Sequence, residues 1–258
     1  MKLSAVAWFL LLVEPVLGRW NPHVGTTFQI QYSQSTTDLS VHADAFDLDL
    51  DDPKLSSYIH TLHSQGKHVI CYFSAGTWEN YRDDVAGTQH DLGNTLEDWP
   101  DERWWDIRAS SVRHVITKRL DRAKSMGCDA VDPDNVDGYT PENRSGLGLT
   151  KSDTISFLTW MSDQAHSRGM SIGLKNAIGL IPSVESHFDF AVNEQCLKYN
   201  ECDAYQRFLD HNKAVFHIEY TTSQSRCDDQ DRLDGMTTVL KHTNLNNWRI
   251  ECHINLVG

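Results

Sequence analysis

Short runs of β-branched and aromatic residues alternate with longer amphipathic stretches along the 258-residue chain. Runs bounded by turn residues predict eight strands: "FQIQY" (28–32), "AFDLDL" (45–50), "HVICYF" (68–73), "AVDPD" (130–134), "SIGLKN" (171–176), "FAVNE" (190–194), "VFHIEY" (215–220) and "WRIECHI" (248–254). "WWDIR" (104–108) is a weaker ninth. Between them, Val112, Val115, Ile116, Leu120 and Ala123 recur at helical spacing, with Gly127 as the stop. A second helix turns Ile155, Leu158, Trp160 and Met161 inward and ends at Gly169. Such alternation predicts a parallel sheet covered by helices. Without its first 18 residues the chain has about 240, a usual length for a closed (β/α)8 TIM-like barrel. No GxGxxG follows a strand, which argues against a dinucleotide-binding fold. No linker or charge block divides residues 19–258, so one domain is expected.

The first residues, "MKLSAVAWFLLLVEPVLGRW", combine one Lys, an apolar run from Leu3 to Val13, and small-residue positions at Val16 and Gly18. That layout predicts a signal peptide over 1–18, and the run is too short to cross a bilayer. The mature protein is therefore expected to be secreted, extracellular, monomeric and without a membrane partner. An oxidising compartment favours disulfides. Cys196–Cys202 and Cys227–Cys252 are natural pairings, but spacing does not fix the connectivity, and Cys71 and Cys128 read equally as a bridge or as buried thiols. The absence of CxxC, HxH and HExxH argues against a metal, and no cofactor is expected. "DLDLDD" and "DPDNVDG" lack the Gly and distal Glu of a calcium loop.

A barrel of this kind keeps its chemistry at the C-terminal ends of its strands. There the runs finish on Asp47 and Asp49, Tyr72 and Ser74, Asp132 and Asp134, Lys175 and Asn176, Asn193 and Glu194, and Glu219 and Tyr220. Side-chain alternation puts Asp47 with Asp49 on one face, and Asp132 with Asp134. "DAVDPDNVDGY" (129–139) adds Asp137 and Tyr139. Any one of these is an ordinary turn or cap residue. Six strands ending this way predict an acidic cleft. Acids beside aromatics suit glycoside hydrolysis, which uses two carboxylates, and Trp20, Trp78, Tyr139 and Tyr220 are candidates to stack on sugars. With 36 acidic and 23 basic residues, the net charge of −13 argues against nucleic acid as a partner. It favours a cationic ligand if the acids gather in a cleft. "NRS" at Asn143 is a glycosylation sequon.

In order along the chain, "DAFDLDL", "VICYFSAGTWENYR", "WWDIR", "GCDAVDPDNVDGY", "SIGLKN", "FAVNEQC" and "IEY" resemble the endo-α-1,4-polygalactosaminidases, glycoside hydrolase family 114. The resemblance spans nearly all of the mature chain. It implies a TIM-like barrel cleaving α-1,4-linked galactosamine within a polymer, with a strand-four Asp and a strand-six Glu as the catalytic pair. Those roles fall on Asp134 and Glu194, and Asp132 and Asp137 stand close enough to compete for the first. A retaining outcome is expected, with a cationic amino-sugar polysaccharide as substrate. Asp47, Asp49 and Glu219 are the candidates for its ammonium groups, and Tyr72, Asp132, Asp137, Tyr139, Lys175, Asn176 and Tyr220 complete the binding set. The same fold also admits a catalytically silent polysaccharide-binding barrel or a metal-dependent hydrolase.

Overall fold

Strand side chains alternate between two faces, and in this chain the two faces carry different chemistry. The computed structural model describes residues 18–33 and 37–254, so the expected signal peptide, apart from Gly18, lies outside the described residues. Strands β1 (Phe28–Gln31), β2 (Ala45–Asp49) and β3 (His68–Ser74) pair in parallel. β4 (Thr77–Glu79), β5 (Leu92–Thr95) and β6 (Glu102–Trp105) then form a separate antiparallel sheet in the order β4-β6-β5. The parallel sheet resumes with β7 (Ala130–Asp134), β8 (Ser171–Lys175), β9 (Phe190–Glu194), β10 (Val215–Tyr220) and β11 (Thr237–Lys241). A short antiparallel strand, β12 (Ile250–Glu251), flanks β11.

Eight parallel strands in chain order thus curl into a single (β/α)8 TIM-like barrel. The first and last approach one another: Thr237 Oγ1 donates to the Thr26 carbonyl at 2.7 Å, and Lys241 Nζ lies 3.4 Å from Gln29 Oε1. Outward side chains such as Phe46, Leu48, Val69, Phe73, Ile172 and Leu174 meet the helices α1 (Leu55–Ser64), α2 (Ser110–Met126) and α3 (Lys151–Ser167). After β8 and β9 the cover shortens to α4 (Ile181–Val184), α5 (Cys196–Tyr199) and α6 (Gln206–Asp210). Inward side chains form their own apolar plug around Phe28, Ile30, Ile70, Phe190, Phe216 and Ile218. Gly173 is required here, because a Cβ would stand 2.4 Å from the Phe190 ring.

The helical face expected for α2 is the buried one, and Gly127 ends the helix in a left-handed conformation (φ 97°). In α3 the deepest face is Thr154, Phe157, Leu158, Met161 and Ala165, while Ile155 and Trp160 are half-buried at its edge. Two strand assignments need correction. "WWDIR" is not a barrel strand: its tryptophans end β6, and Asp106 turns the chain into α2. The last parallel strand is Thr237–Lys241, and of 248–254 only Ile250–Glu251 pairs with it. All six cysteines are paired, as Cys71–Cys128, Cys196–Cys202 and Cys227–Cys252. Among the described residues, no helix is long and apolar enough to cross a membrane.

Candidate active site

Climbing the barrel interior, the inward positions change from apolar to ionisable. On β7 they read Ala130, Asp132, Asp134, and on β9 Phe190, Val192, Glu194. The ionisable layer begins with Asp47, Asp132 and Lys175, all at most 2 % exposed. Lys175 Nζ lies 3.1 Å from Asp134 Oδ2, 3.5 Å from Glu194 Oε2 and 3.9 Å from Asp132 Oδ2. One ammonium therefore links the two residues that open upward. Laying its two shortest contacts end to end, Asp134 Oδ2 and Glu194 Oε2 are no more than about 6.6 Å apart.

Further donors fix each carboxylate. Asp134 accepts from Tyr72 Oη at 3.2 Å and from the Asn135 amide at 2.7 Å. Glu194 accepts from Asn176 Nδ2 at 3.1 Å and, in a short contact, from Tyr220 Oη. Asn176 Oδ1 also takes the Glu194 amide at 2.9 Å, so it holds that residue at both ends. The chain leaves all three strands through left-handed residues: Asn135 (φ 58°), Asn176 and Ala177 (47° and 49°), and Gln195 (67°). Such conformations cost free energy outside Gly and Asn, and they turn the backbone sharply away from the site.

Burial and crowding set the charges below. Burial works against the Lys175 ammonium, but Asp134, Glu194 and Asp132 outweigh it and hold its pKa well above the ordinary lysine value. Burial pushes Asp132 up to about 6, opposed by Lys175 and reinforced by Asp134 and Glu194. Asp47 rises well above the carboxylate range for the same reason, with Asp132 as its repelling neighbour. Tyr32 and Tyr72, stacked with centroids 4.0 Å apart, roof this acid pair. Tyr32 Oη lies 3.3 Å from Asp132 Oδ2.

Above the pair opens a cleft of about 890 Å³, lined by nine carboxylates against Arg82, Arg144 and Lys175. One wall is the small antiparallel sheet, locked to the barrel by buried polar contacts. Arg119 of α2 reaches the Ser74 carbonyl at 2.6 Å and Asp84 at 2.8 Å, and lies 3.5 Å from Glu79. Asn135 Nδ2 donates to Ser74 Oγ and Thr77 Oγ1, each at 3.1 Å. Gly76 permits that approach, since a Cβ there would overlap the Asn135 carbonyl at 1.7 Å. Burial lifts Glu102 on this wall to about 7, with Glu79 and Asp134 adding to it against the Thr77 hydroxyl.

Of the expected site residues, Asp49, Tyr72, Asp134, Asp137, Lys175, Asn176, Glu194 and Tyr220 line the cleft. Asp49 is engaged by Arg82 through two contacts of 2.9 Å, which leaves it little charge for an ammonium. Asp47 and Asp132 lie beneath the floor. Glu219 is elsewhere: Tyr220 faces in, so alternation sends Glu219 outward, where it accepts from the Leu197 amide at 2.9 Å and meets His217 at 3.1 Å. Tyr139 and Trp78 pack against the outer core. Trp20 stacks on His68, where β3 begins, at the far end of the barrel. Asn143 lines the cleft with its Nδ2 already donating to the Asp137 carbonyl at 2.9 Å. Tyr32, Glu79, Arg82, Glu102 and Asn135 belong to the site without having been expected there. Tyr32 alone had a signal, as the last residue of "FQIQY" and the next inward position after Phe28 and Ile30.

The only group of three or more His, Cys, Asp or Glu among the described residues whose ligand atoms are close enough to share a metal ion is Cys196, Cys202 and His217, and a disulfide takes both sulfurs.

Two carboxylates sharing one ammonium, at the floor of an acidic cleft on the C-terminal face of a (β/α)8 barrel, form an arrangement suited to cleaving glycosidic bonds. The chain belongs to glycoside hydrolase family GH114, whose family model matches residues 15–257. It is similar to Ega3 of Aspergillus fumigatus, solved in complex with galactosamine, at 45% identity and a TM-score of 0.84, covering 91% of this chain and 98% of that one. The glycoside hydrolase domain of PelA from Pseudomonas aeruginosa shares the fold at 16% identity and a TM-score of 0.68, covering 87% and 98% of the two chains. A search of curated proteins found no match.

Proposed function

We propose that the protein is a secreted endo-acting hydrolase of α-1,4-linked galactosamine polymers, working with retention through Asp134 and Glu194. The observation that carries this reading is the Lys175 ammonium held between those two carboxylates at the bottom of an acid-lined cleft. A polymer of amino sugars is a polycation, and the excess of acids concentrates it. The galactosamine bound by the similar Ega3 supports the same substrate class. Retention follows the family resemblance, and the bound of about 6.6 Å between Asp134 Oδ2 and Glu194 Oε2 is compatible with the about 5–5.5 Å of retaining pairs.

In this mechanism an Asp134 oxygen attacks the anomeric carbon as Glu194 gives its proton to the departing glycosidic oxygen. The released sugar leaves, and a glycosyl ester remains on Asp134. Glu194, now a carboxylate, takes a proton from water, whose oxygen attacks the same carbon and frees Asp134. Lys175 orients both carboxylates and balances the charge that moves between them. The signal-peptide layout of 1–18 and the three disulfides support export from the cell.

The test is product analysis after incubation with partly deacetylated α-1,4 galactosamine polymer and, separately, with chitosan. A ladder of oligosaccharides from the first and none from the second is expected. An intact galactosamine polymer contradicts the substrate assignment, and release of monosaccharide alone contradicts endo action.

A further inference from the structure

Among the described residues, the large apolar side chains left most exposed are Tyr81, Trp99 and Tyr199, at 58 %, 60 % and 59 %. A single exposed aromatic is ordinary on a protein surface, so position has to decide. Tyr81 and Trp99 line the cleft that holds Asp134 and Glu194, and Tyr199 is outside that lining. Tyr81 is engaged within the protein, with its hydroxyl 2.8 Å from Glu79 Oε1 and the Arg82 guanidinium 5.2 Å from its ring centre. The Trp99 indole is open to the cleft.

The turn between β5 and β6 that carries Trp99 is well braced. Glu102 donates its amide to the Trp99 carbonyl at 2.9 Å, and Leu96 donates to the Glu102 carbonyl at 3.0 Å. Asn80 Nδ2 reaches Asp101 Oδ1 at 3.0 Å, and the sheet below is fixed by the Arg119 and Asn135 contacts already described. Glu97 and Asp98 flank the indole on the same cleft wall, and the loop after β7 adds Glu142 alongside one cation, Arg144. At about 890 Å³ the cleft is near the upper end of ordinary ligand pockets of about 300–1,000 Å³, so it holds more than the one ring being cleaved.

We propose that Trp99, flanked by Glu97 and Asp98, is a stacking subsite for a galactosamine ring of the bound polymer away from the scissile bond. The inference rests on the amino-sugar polymer assignment and extends it to how a chain is gripped. The apolar face of a pyranose lies flat on the indole, the ring's ammonium is drawn to the π face, and the two acids take what charge remains. Such contact is made equally in the ground and transition states, so it lowers KM for long chains and leaves kcat alone.

The experiment measures KM and kcat for the wild type, Trp99→Ala, Trp99→Phe and Tyr199→Ala, on long galactosamine polymer and on oligosaccharides short enough to occupy the catalytic floor alone. Trp99→Ala is expected to raise KM for long polymer about three- to tenfold with kcat unchanged. Trp99→Phe should recover most of that loss, and short substrates should not distinguish the variants. Tyr199→Ala should match the wild type throughout. An unchanged KM in Trp99→Ala on long polymer overturns the subsite, as does an equal loss on short and long substrates, which would mark a structural role. A wild-type enzyme that leaves galactosamine polymer intact overturns the substrate assignment, and the subsite with it.

Discussion

Lys175 serves two opening carboxylates, Asp134 and Glu194, and that leaves Asp132 as a buried acid in excess. In the folded protein burial pushes Asp132 up to about 6, against an ordinary value of 3.8. Between those values the native state keeps a proton that the unfolded chain has released, so stability declines as pH rises through the window and stays reduced above it. Asp132→Asn removes the burden. The variant is expected to be more stable than the wild type by about 1–3 kcal/mol at about pH 7.5, with the gain shrinking toward zero at about pH 3.5. Thermal unfolding of both proteins at the two pH values checks this, and a pH-independent difference contradicts it.

At the scale of elements, the site depends on how β7, β8 and β9 end. Each places a chemistry-bearing residue last and then leaves in a left-handed turn, at Asn135, Asn176 and Gln195. Asn adopts this conformation readily, and Gln195 carries more strain. Gln195→Val should therefore cost about 1–3 kcal/mol, whereas Gln195→Gly should stay near the wild type. Denaturant unfolding of both variants measures the difference, and equal stability would show that the turn carries no strain. These strand ends were legible because "AVDPDN", "SIGLKN" and "FAVNEQ" have apolar stems and polar tips. Two errors have physical causes. β11 is hidden in the sequence because Thr237 and Thr238 read as polar, yet both are buried, one bonded to the Thr26 carbonyl and the other to His217. Glu219 reads as a cleft residue because it ends a strand beside Tyr220, but neighbouring residues on a strand cannot share a face.

For the whole molecule, the net charge of −13 becomes informative only when folded, because nine acids converge on one cleft. The wall built from β4, β5 and β6 was not legible, since its defining contacts join Glu79 to Arg119 and Asn135 to Thr77 across 40 and 58 positions. What the strand ends "AVDPD" and "FAVNE" did convey was that Asp134 and Glu194 open on the same face of one barrel, and the proposed mechanism rests on that pair. The most direct measurement is the release of reducing ends from galactosamine polymer by equal amounts of folded wild type, Asp134→Asn, Glu194→Gln and Asp132→Asn. Asp134→Asn and Glu194→Gln are expected to lose at least about 10³-fold in turnover while still retaining polymer, because shape is kept and only the ionisable oxygen is lost. Asp132→Asn should keep measurable activity. Turnover by Asp134→Asn together with an inactive Asp132→Asn would move the nucleophile one inward position down β7, and full activity in all three would contradict the account.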